Sequence, residues 1–155
     1  MKSMTKYVTT SALIGGCYAA LTVLLAPISY GPMQVRVAEA LTVLPYLFPP
    51  AIPGLYIGCM VANIWGGFGP IDIFGGSAIT LLAAYLTFRL RYFRKPWLAP
   101  IPPVLLNGLG VGFYLHYLTD FSLWASIAWV ALGEAVACFL GLPLLYALIR
   151  LHRQP

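Results

Sequence analysis

Long apolar runs, separated only by short turns, dominate this chain from end to end. Hydrophobic residues make up 61% of its 155 residues, and charged residues only 8%. A soluble domain of this size keeps much of its surface in water and carries about 25% charged residues, so the apolar surface here is expected to contact lipid. A transmembrane helix needs about 20 mostly apolar residues. The chain therefore has room for five or six helices and no domain outside the membrane.

Prolines and glycines between the apolar runs predict six helices. The predicted spans are 7–29, 38–48, 53–66, 71–88, 98–118 and 123–151. The sequence thus predicts an all-α integral membrane protein with six transmembrane helices in a single membrane domain, residues 1–155. The second and third spans are the shortest.

The basic residues predict the orientation of this bundle. Eight of the nine lie near the chain ends or between the fourth and fifth spans: Lys2, Lys6, Arg89, Arg91, Arg94, Lys95, Arg150 and Arg153. Six spans place all eight on one side, which is cytoplasmic by the positive-inside rule. Both termini are then cytoplasmic, and only Arg36 is outside. Because these charges flank apolar runs, nucleic-acid binding is not expected.

Glu134 is the strongest candidate for a functional residue, because it lies well inside the last predicted span. A charged side chain inside the hydrocarbon region costs free energy, so a residue of this type within a span is taken as a candidate for function. Two interpretations are open. In the first, the carboxyl faces a central cavity and binds a ligand or a proton there; in the second, it is a buried group that hydrogen-bonds a neighbouring helix. Small residues at positions 133, 137 and 141 favour a place beside a helix contact.

A second polar group is predicted near the outer surface. Gln34, Arg36 and Glu39 supply an amide, a forked donor and an acceptor, although Arg36 and Glu39 could also form only a local ion pair. Asn63 is an amide near the outer end of the third span, and amides in lipid need partners. Trp65 could stack on a planar ligand.

Other polar positions favour structural roles. Asp72 is interpreted mainly as a helix cap, and Asn107 as a residue that bonds another helix. The outer aromatic residues, Tyr114 among them, are typical of the interfacial belt. The three cysteines, at positions 17, 59 and 138, are interpreted as small core residues, because no spacing among them indicates a metal site.

The first span carries small residues at four-residue spacing, Ala12, Gly16 and Ala20, which favour close packing against another helix. The chain has no phosphate-binding loop, zinc-protease motif or nucleophile elbow. No enzymatic activity, metal or cofactor is therefore expected of it.

Specific strings resemble the QueT family of membrane proteins. Residues 26–41 read APISYGPMQVRVAEAL and carry most of the resemblance. Weaker matches are IPGL at 52–55, GGSAITLLAA at 75–84, PVLLNG at 103–108 and Gly133-Glu134. Together they span most of the chain.

This resemblance implies a substrate-specific S component of an energy-coupling-factor transporter, in the cell membrane of a bacterium. Such a protein captures a queuosine precursor, a deazaguanine base, at the outer side. It works with a transmembrane coupling protein and two cytoplasmic ATPases, so ATP is used by the partners. The resemblance also implies that Ala12, Gly16 and Ala20 pack on the coupling protein.

The chemistry of a deazaguanine suggests how the candidate residues would bind it. Two carboxylates, Glu39 and Glu134, would accept its N–H groups and any aminomethyl cation, and Gln34, Arg36 and Asn63 would donate to its carbonyl. Three alternatives remain at this stage. They are an S component for another vitamin or small heterocycle, a membrane enzyme that uses Glu134 for proton transfer, and a structural membrane subunit without a ligand.

Overall fold

Helices account for all the regular secondary structure of the described chain, as the all-α prediction requires. The computed structural model describes residues 2–31, 35–118 and 121–153. Its α-helices are α1 Lys2–Leu24, α2 Ala26–Ser29, α3 Ala51–Gly66, α4 Ser77–Leu90, α5 Ile101–Leu118 and α6 Leu123–Arg153. A 3-10 helix covers Val37–Tyr46, a π-helical turn covers Ile71–Gly76, and shorter 3-10 turns cover Arg91–Phe93 and Pro96–Leu98.

Four helical segments of the described chain are long and apolar enough to cross a membrane: Ser3–Leu24, Ile71–Phe93, Pro96–Tyr117 and Leu123–Leu151. Val37–Tyr46 and Ala51–Gly66 are apolar but shorter. At about 2.0 Å per residue for a 3-10 helix and 1.5 Å for an α-helix, they extend roughly 20 Å and 24 Å. The six crossings and the cytoplasmic termini stay predictions.

The 3-10 helix is the centre of the bundle, because it packs against α1, α3, α4 and α6. Pro45 lies inside it and has no N–H to donate, which disfavours a regular α-helix at this point. Thr42 Oγ1 donates to the carbonyl of Glu39 at 2.6 Å within the same helix. This central position brings the polar side chains of the helix into contact with the longer helices around it.

Glycines let α1 and α3 approach closely. A Cβ on Gly15 would lie 2.7 Å from the carbonyl oxygen of Gly54, and one on Gly58 would lie 2.5 Å from that of Gly15. Ser11 Oγ also donates to the carbonyl of Pro50 at 2.8 Å, just before α3 begins. One face of α1 therefore packs against α3 inside the protein.

The segment between α3 and α4 contains an irregularity that the sequence did not reveal. Gly67 and Gly69 have φ values of 72° and 94°, which favour glycine and explain the tight connection. The following residues, Ile71–Gly76, form a π-helical turn rather than the regular start of a helix. Such turns are often found at functional sites, and this one carries Asp72 to the interior.

Candidate functional site

Polar side chains from six parts of the chain meet inside the bundle, and we call them the buried polar group. All are buried except Tyr114, which is half-buried. Its members are Tyr18 of α1, Arg36, Glu39 and Thr42 at the central helix, Asn63 of α3, Asp72 of the π-helical turn, Asn107 and Tyr114 of α5, and Glu134 and Cys138 of α6.

One half of the buried polar group is built around Arg36. Its Nη1 donates to Asn63 Oδ1 at 2.9 Å, and its Nη2 lies 4.0 Å from Asp72 Oδ1. Asn63 Nδ2 in turn donates to the backbone carbonyl of Asp72 at 2.8 Å. Tyr114 donates its hydroxyl to the Asp72 carboxylate. The Asp72 carboxylate therefore has both a nearby cation and a hydroxyl donor.

The other half contains the two glutamates. Tyr18 donates its hydroxyl to Glu39 Oε1, and Cys138 Sγ donates to Glu134 Oε2 at 3.5 Å. One carboxylate oxygen from each glutamate and the Cys138 sulfur all lie within 4.8 Å of one another. Asn107 lies beside Glu134, close enough for their side chains to hydrogen-bond. The two acids thus come from different helices and share one small volume.

Several polar atoms of this group are buried without a hydrogen-bond partner. They are Arg36 Nε and Nη2, Glu39 Oε2, Asp72 Oδ2 and Asn107 Oδ1. A buried polar atom without a partner costs about 1–3 kcal/mol, and native proteins contain few of them. Five such atoms, both donors and acceptors, lie in this one group.

Small residues let the backbone approach this group. A Cβ on Gly76 would lie 2.9 Å from the Tyr114 hydroxyl, 3.0 Å from Asn63 Nδ2 and 3.1 Å from Asp72 Oδ1. On α6, Gly141 packs directly against the carbonyl of Ala40 in the central helix. The glycines therefore allow the elements that carry the polar side chains to meet.

Comparison with known protein families places the chain in a family. The family model described as QueT transporter matches residues 8–150. The chain belongs to the QueT transporter family. A curated relative, the queuosine precursor transporter QueT of Lactococcus lactis subsp. cremoris (strain MG1363), is 36% identical over 156 residues, which cover 90% of each chain. No solved structure matches the chain.

Family membership agrees with the apolar helices. As a QueT family protein with several long apolar helices, the chain is a multi-pass membrane protein with a role in transport. A small-molecule substrate follows from the same membership.

Four of the six substrate-binding residues predicted from the sequence meet in this QueT family protein: Arg36, Glu39, Asn63 and Glu134. The structure does not bring Trp65 to them, because its side chain is 67% exposed. Trp65 is two residues from Asn63, a spacing that puts it on another face of α3. Gln34 lies outside the described residues.

Sequence reasoning assigned other roles to the remaining members. Asp72 is 1% exposed and accepts a hydrogen bond from Tyr114, so it is more than the helix cap predicted for it. Cys138 is buried, as predicted, but it contacts Thr42 and Glu134 rather than only apolar neighbours. The sequence pattern assigns no role to Tyr18 or Thr42. A tyrosine inside an apolar span was the available signal for Tyr18, because its hydroxyl needs a buried partner.

The predicted partner-packing residues of α1, Ala12, Gly16 and Ala20, are exposed at the bundle surface. Nothing lies within 4 Å of a Cβ built on Gly16, whereas the neighbouring Gly15 packs against α3. Ala12 and Gly16 line an apolar groove of about 490 Å³ between α1 and α3. This face of α1 is open to another helix.

Proposed function

We propose that this protein is the substrate-binding S component of an energy-coupling-factor transporter, and that it captures a deazaguanine precursor of queuosine at the outer side of the membrane. A membrane coupling protein and two cytoplasmic ATPases would drive transport, and ATP would be used by them. Family membership supports the transport role. The name of the Lactococcus relative supports the choice of cargo.

The observation that carries this proposal is the set of buried polar atoms without partners. Arg36 offers two N–H groups, while Glu39, Asp72 and Asn107 each offer an acceptor oxygen. A purely structural group would be expected to satisfy these atoms internally. A ligand that supplies both donors and acceptors would remove the cost of leaving them unpaired.

A guanine-like edge matches this set. It presents adjacent N–H donors that a carboxylate accepts in a bidentate way, and a carbonyl that needs a donor. The glutamates Glu39 and Glu134 are the proposed acceptors, and Arg36 and Asn63 the proposed donors to the carbonyl. Gln34 stays a further candidate donor. A stacking role for Trp65 would require its exposed ring to turn towards the ligand.

The open face of α1 supports the proposed partnership. Ala12, Gly16 and Ala20 present little side-chain bulk, so a helix of a coupling protein can approach the backbone closely. The groove beside them is lined almost entirely by apolar atoms. A contact there would leave the buried polar group untouched, so binding and coupling would use different surfaces of the protein.

Mass spectrometry of the ligand released from the purified protein tests the cargo directly. Titration calorimetry with a deazaguanine then tests the site: Glu134→Gln should lose binding, because the amide removes the carboxylate that accepts two N–H groups. Cys17→Ser, at an exposed position on α1, should bind like the unmodified protein.

Three results would contradict the proposal. Unchanged affinity of Glu134→Gln would remove Glu134 from the site. Release of another vitamin or heterocycle would keep the class of protein and change its cargo. Absence of any ligand, together with no co-purifying ATPases, would favour a structural membrane subunit.

A further inference from the structure

An apolar groove lies between α4 and α5, beside the basic stretch that connects these helices. We propose that this groove binds an anionic phospholipid, with an acyl chain in the groove and the phosphate of the headgroup at Arg89. The groove shares no residue with the buried polar group or with the open face of α1. The inference is therefore independent of the proposed cargo and of the proposed partners.

The shape and lining of the groove suit part of an acyl chain. Its volume is about 310 Å³, and it is lined almost entirely by apolar atoms. Its lining includes Leu86, Arg89, Leu90 and Phe93 on one side and Ile101 and Leu105 on the other. From Leu86 to Phe93 this lining extends roughly 10 Å along the chain. Phe93 and Leu105 are 65% and 55% exposed, so the groove is open to lipid.

Aromatic side chains hold the Arg89 guanidinium beside this groove. Its Nη1 donates to the Tyr85 hydroxyl at 3.0 Å, and its Cζ lies 5.9 Å and 5.8 Å from the ring centroids of Tyr85 and Tyr92. A guanidinium has five N–H donors in a planar fork, which matches the oxygens of a phosphate. Arg89 is thus oriented before a phosphate binds, and it keeps donors beyond the one given to Tyr85.

The positive charge beside the groove is not compensated by the acids of the described chain. Four basic residues lie within seven positions: Arg89, Arg91, Arg94 and Lys95. The described acids, Glu39, Asp72 and Glu134, belong to the buried polar group, and none of them pairs with these basic residues. Arg94 has a φ of 54°, a region that favours glycine, so a cation stands where a glycine would form the turn more easily.

The position of this charge favours a lipid as the source of the anion. The basic stretch follows the apolar segment Ile71–Phe93, which is long enough to cross a membrane, so it lies at the level of the headgroups. Free phosphate would leave the apolar lining of the groove uncovered. A zwitterionic headgroup carries its own cation, which the basic stretch repels. An anionic phospholipid supplies both an apolar chain and an uncompensated negative charge.

Native mass spectrometry of the full-length protein, released from detergent, tests the inference. The protein is incubated with an equimolar mixture of palmitoyl-oleoyl-phosphatidylglycerol and palmitoyl-oleoyl-phosphatidylcholine. We expect at least fivefold more bound phosphatidylglycerol than phosphatidylcholine. A large excess of inorganic phosphate should not displace the lipid, because the acyl chain contributes to binding.

Two pairs of variants separate the phosphate contact from the groove. Arg89→Gln should lower the preference for phosphatidylglycerol at least threefold, whereas Arg150→Gln should keep it. Arg150 is exposed and follows Ile149, which packs on the same cluster as Ala99, so the control removes one charge from the same end of the bundle. Leu105→Trp should fill the groove and reduce bound lipid at least threefold, whereas Leu140→Trp, at a 62% exposed position of α6, should not.

Three results would overturn the lipid site. Equal amounts of the two bound lipids on the unmodified protein would remove the selection by charge, and this comparison needs no variant. Equal losses in Arg89→Gln and Arg150→Gln would show attraction by the overall charge of this end. Displacement by inorganic phosphate, with no effect of Leu105→Trp, would assign the arginine to a free anion. Each of these results leaves the proposed function intact.

Discussion

At the scale of single residues, the buried polar group depends on hydroxyl donors that hold its acids. Tyr18 donates to Glu39 and Tyr114 donates to Asp72, and the two tyrosines belong to the long helices α1 and α5. A phenol combines an apolar ring, which is stable inside a membrane protein, with one directed donor. The orientation of each acid is therefore coupled to the packing of a helix.

Removal of one of these hydroxyls should be measurable. Tyr18→Phe keeps the ring but leaves the Glu39 carboxylate without its donor, and a hydrogen bond to a charged group contributes about 1.5–3 kcal/mol. We expect a clearly lower thermal unfolding midpoint of the purified protein, followed by intrinsic tryptophan fluorescence. Tyr7→Phe is the matched control, because Tyr7 lies on the same helix and is 40% exposed. Equal midpoints for the two variants would contradict a structural role for the Tyr18 hydroxyl.

Residues differ in how far the sequence could reveal their role. Arg36 and Glu134 were identifiable because a charge near or within an apolar segment is rare. Asp72 and Tyr114 were not, because an acid at a helix start and a tyrosine near a helix end are also common without any function. Their contact joins positions 42 residues apart and depends on how the helices pack. Long-range contacts of this kind cannot be derived from local pattern.

At the scale of elements, the π-helical turn Ile71–Gly76 links the fold to the site, because it carries Asp72 and Gly76 against α3 and α5. The sequence predicted a helix here but not its type. The stretch IDIFGG follows a glycine and proline connection, as an ordinary α-helix often does. The segment departs from regular α-helical geometry at the place where it packs against Asn63 and Tyr114.

A pair of neighbouring glycines tests the importance of this turn. Gly76→Ala places a methyl group about 3 Å from polar atoms of Tyr114, Asn63 and Asp72, so these groups must move apart. We expect at least a tenfold loss of deazaguanine affinity in calorimetry and a lower unfolding midpoint. Gly75→Ala should change neither the affinity nor the unfolding midpoint by much, because only Ile71 Cγ2 lies within 4 Å of a Cβ at this position, at 3.9 Å. Similar effects at both positions would show that helix propensity, not the close contact, is responsible.

The two faces of α1 predict two separable functions. Under the proposed partnership, Gly16→Leu adds bulk on the open face, so substrate binding should persist while co-purification of the proposed ATPases falls at least tenfold. Ala147→Leu adds similar bulk at an exposed position of α6 and should retain the ATPases. Loss of substrate binding in Gly16→Leu, with ATPases retained, would contradict the division between the faces.

At the scale of the whole molecule, six membrane crossings differ from four in whether the central helix and α3 cross the membrane. Tyr46, at its end, shares a buried apolar cluster with Ala99, which follows the basic stretch between α4 and α5. The connection at 47–50 is therefore near the end of the bundle that carries the basic residues. With six crossings, this connection faces the cytoplasm.

Cysteine labelling of intact cells tests this topology in a Cys17→Ala background. A membrane-impermeant maleimide should label Ser122→Cys from outside. Lys95→Cys and Pro49→Cys should react only after the cells are permeabilised, because both positions are expected to face the cytoplasm. Labelling of Pro49→Cys in intact cells, with Lys95→Cys still protected, would show that the two short helices enter and leave from the same side.

The buried polar group draws its side chains from early and late parts of the chain, and this has a consequence for biosynthesis. The first 122 residues precede α6, so Arg36, Glu39 and Asp72 are synthesised before the helix that covers them. An unfinished chain must hold these ionisable side chains in the membrane without Glu134 and Cys138 beside them. Because α6 leaves the ribosome after these residues, it completes the interior, and chains truncated before it should be substrates for membrane quality-control proteases.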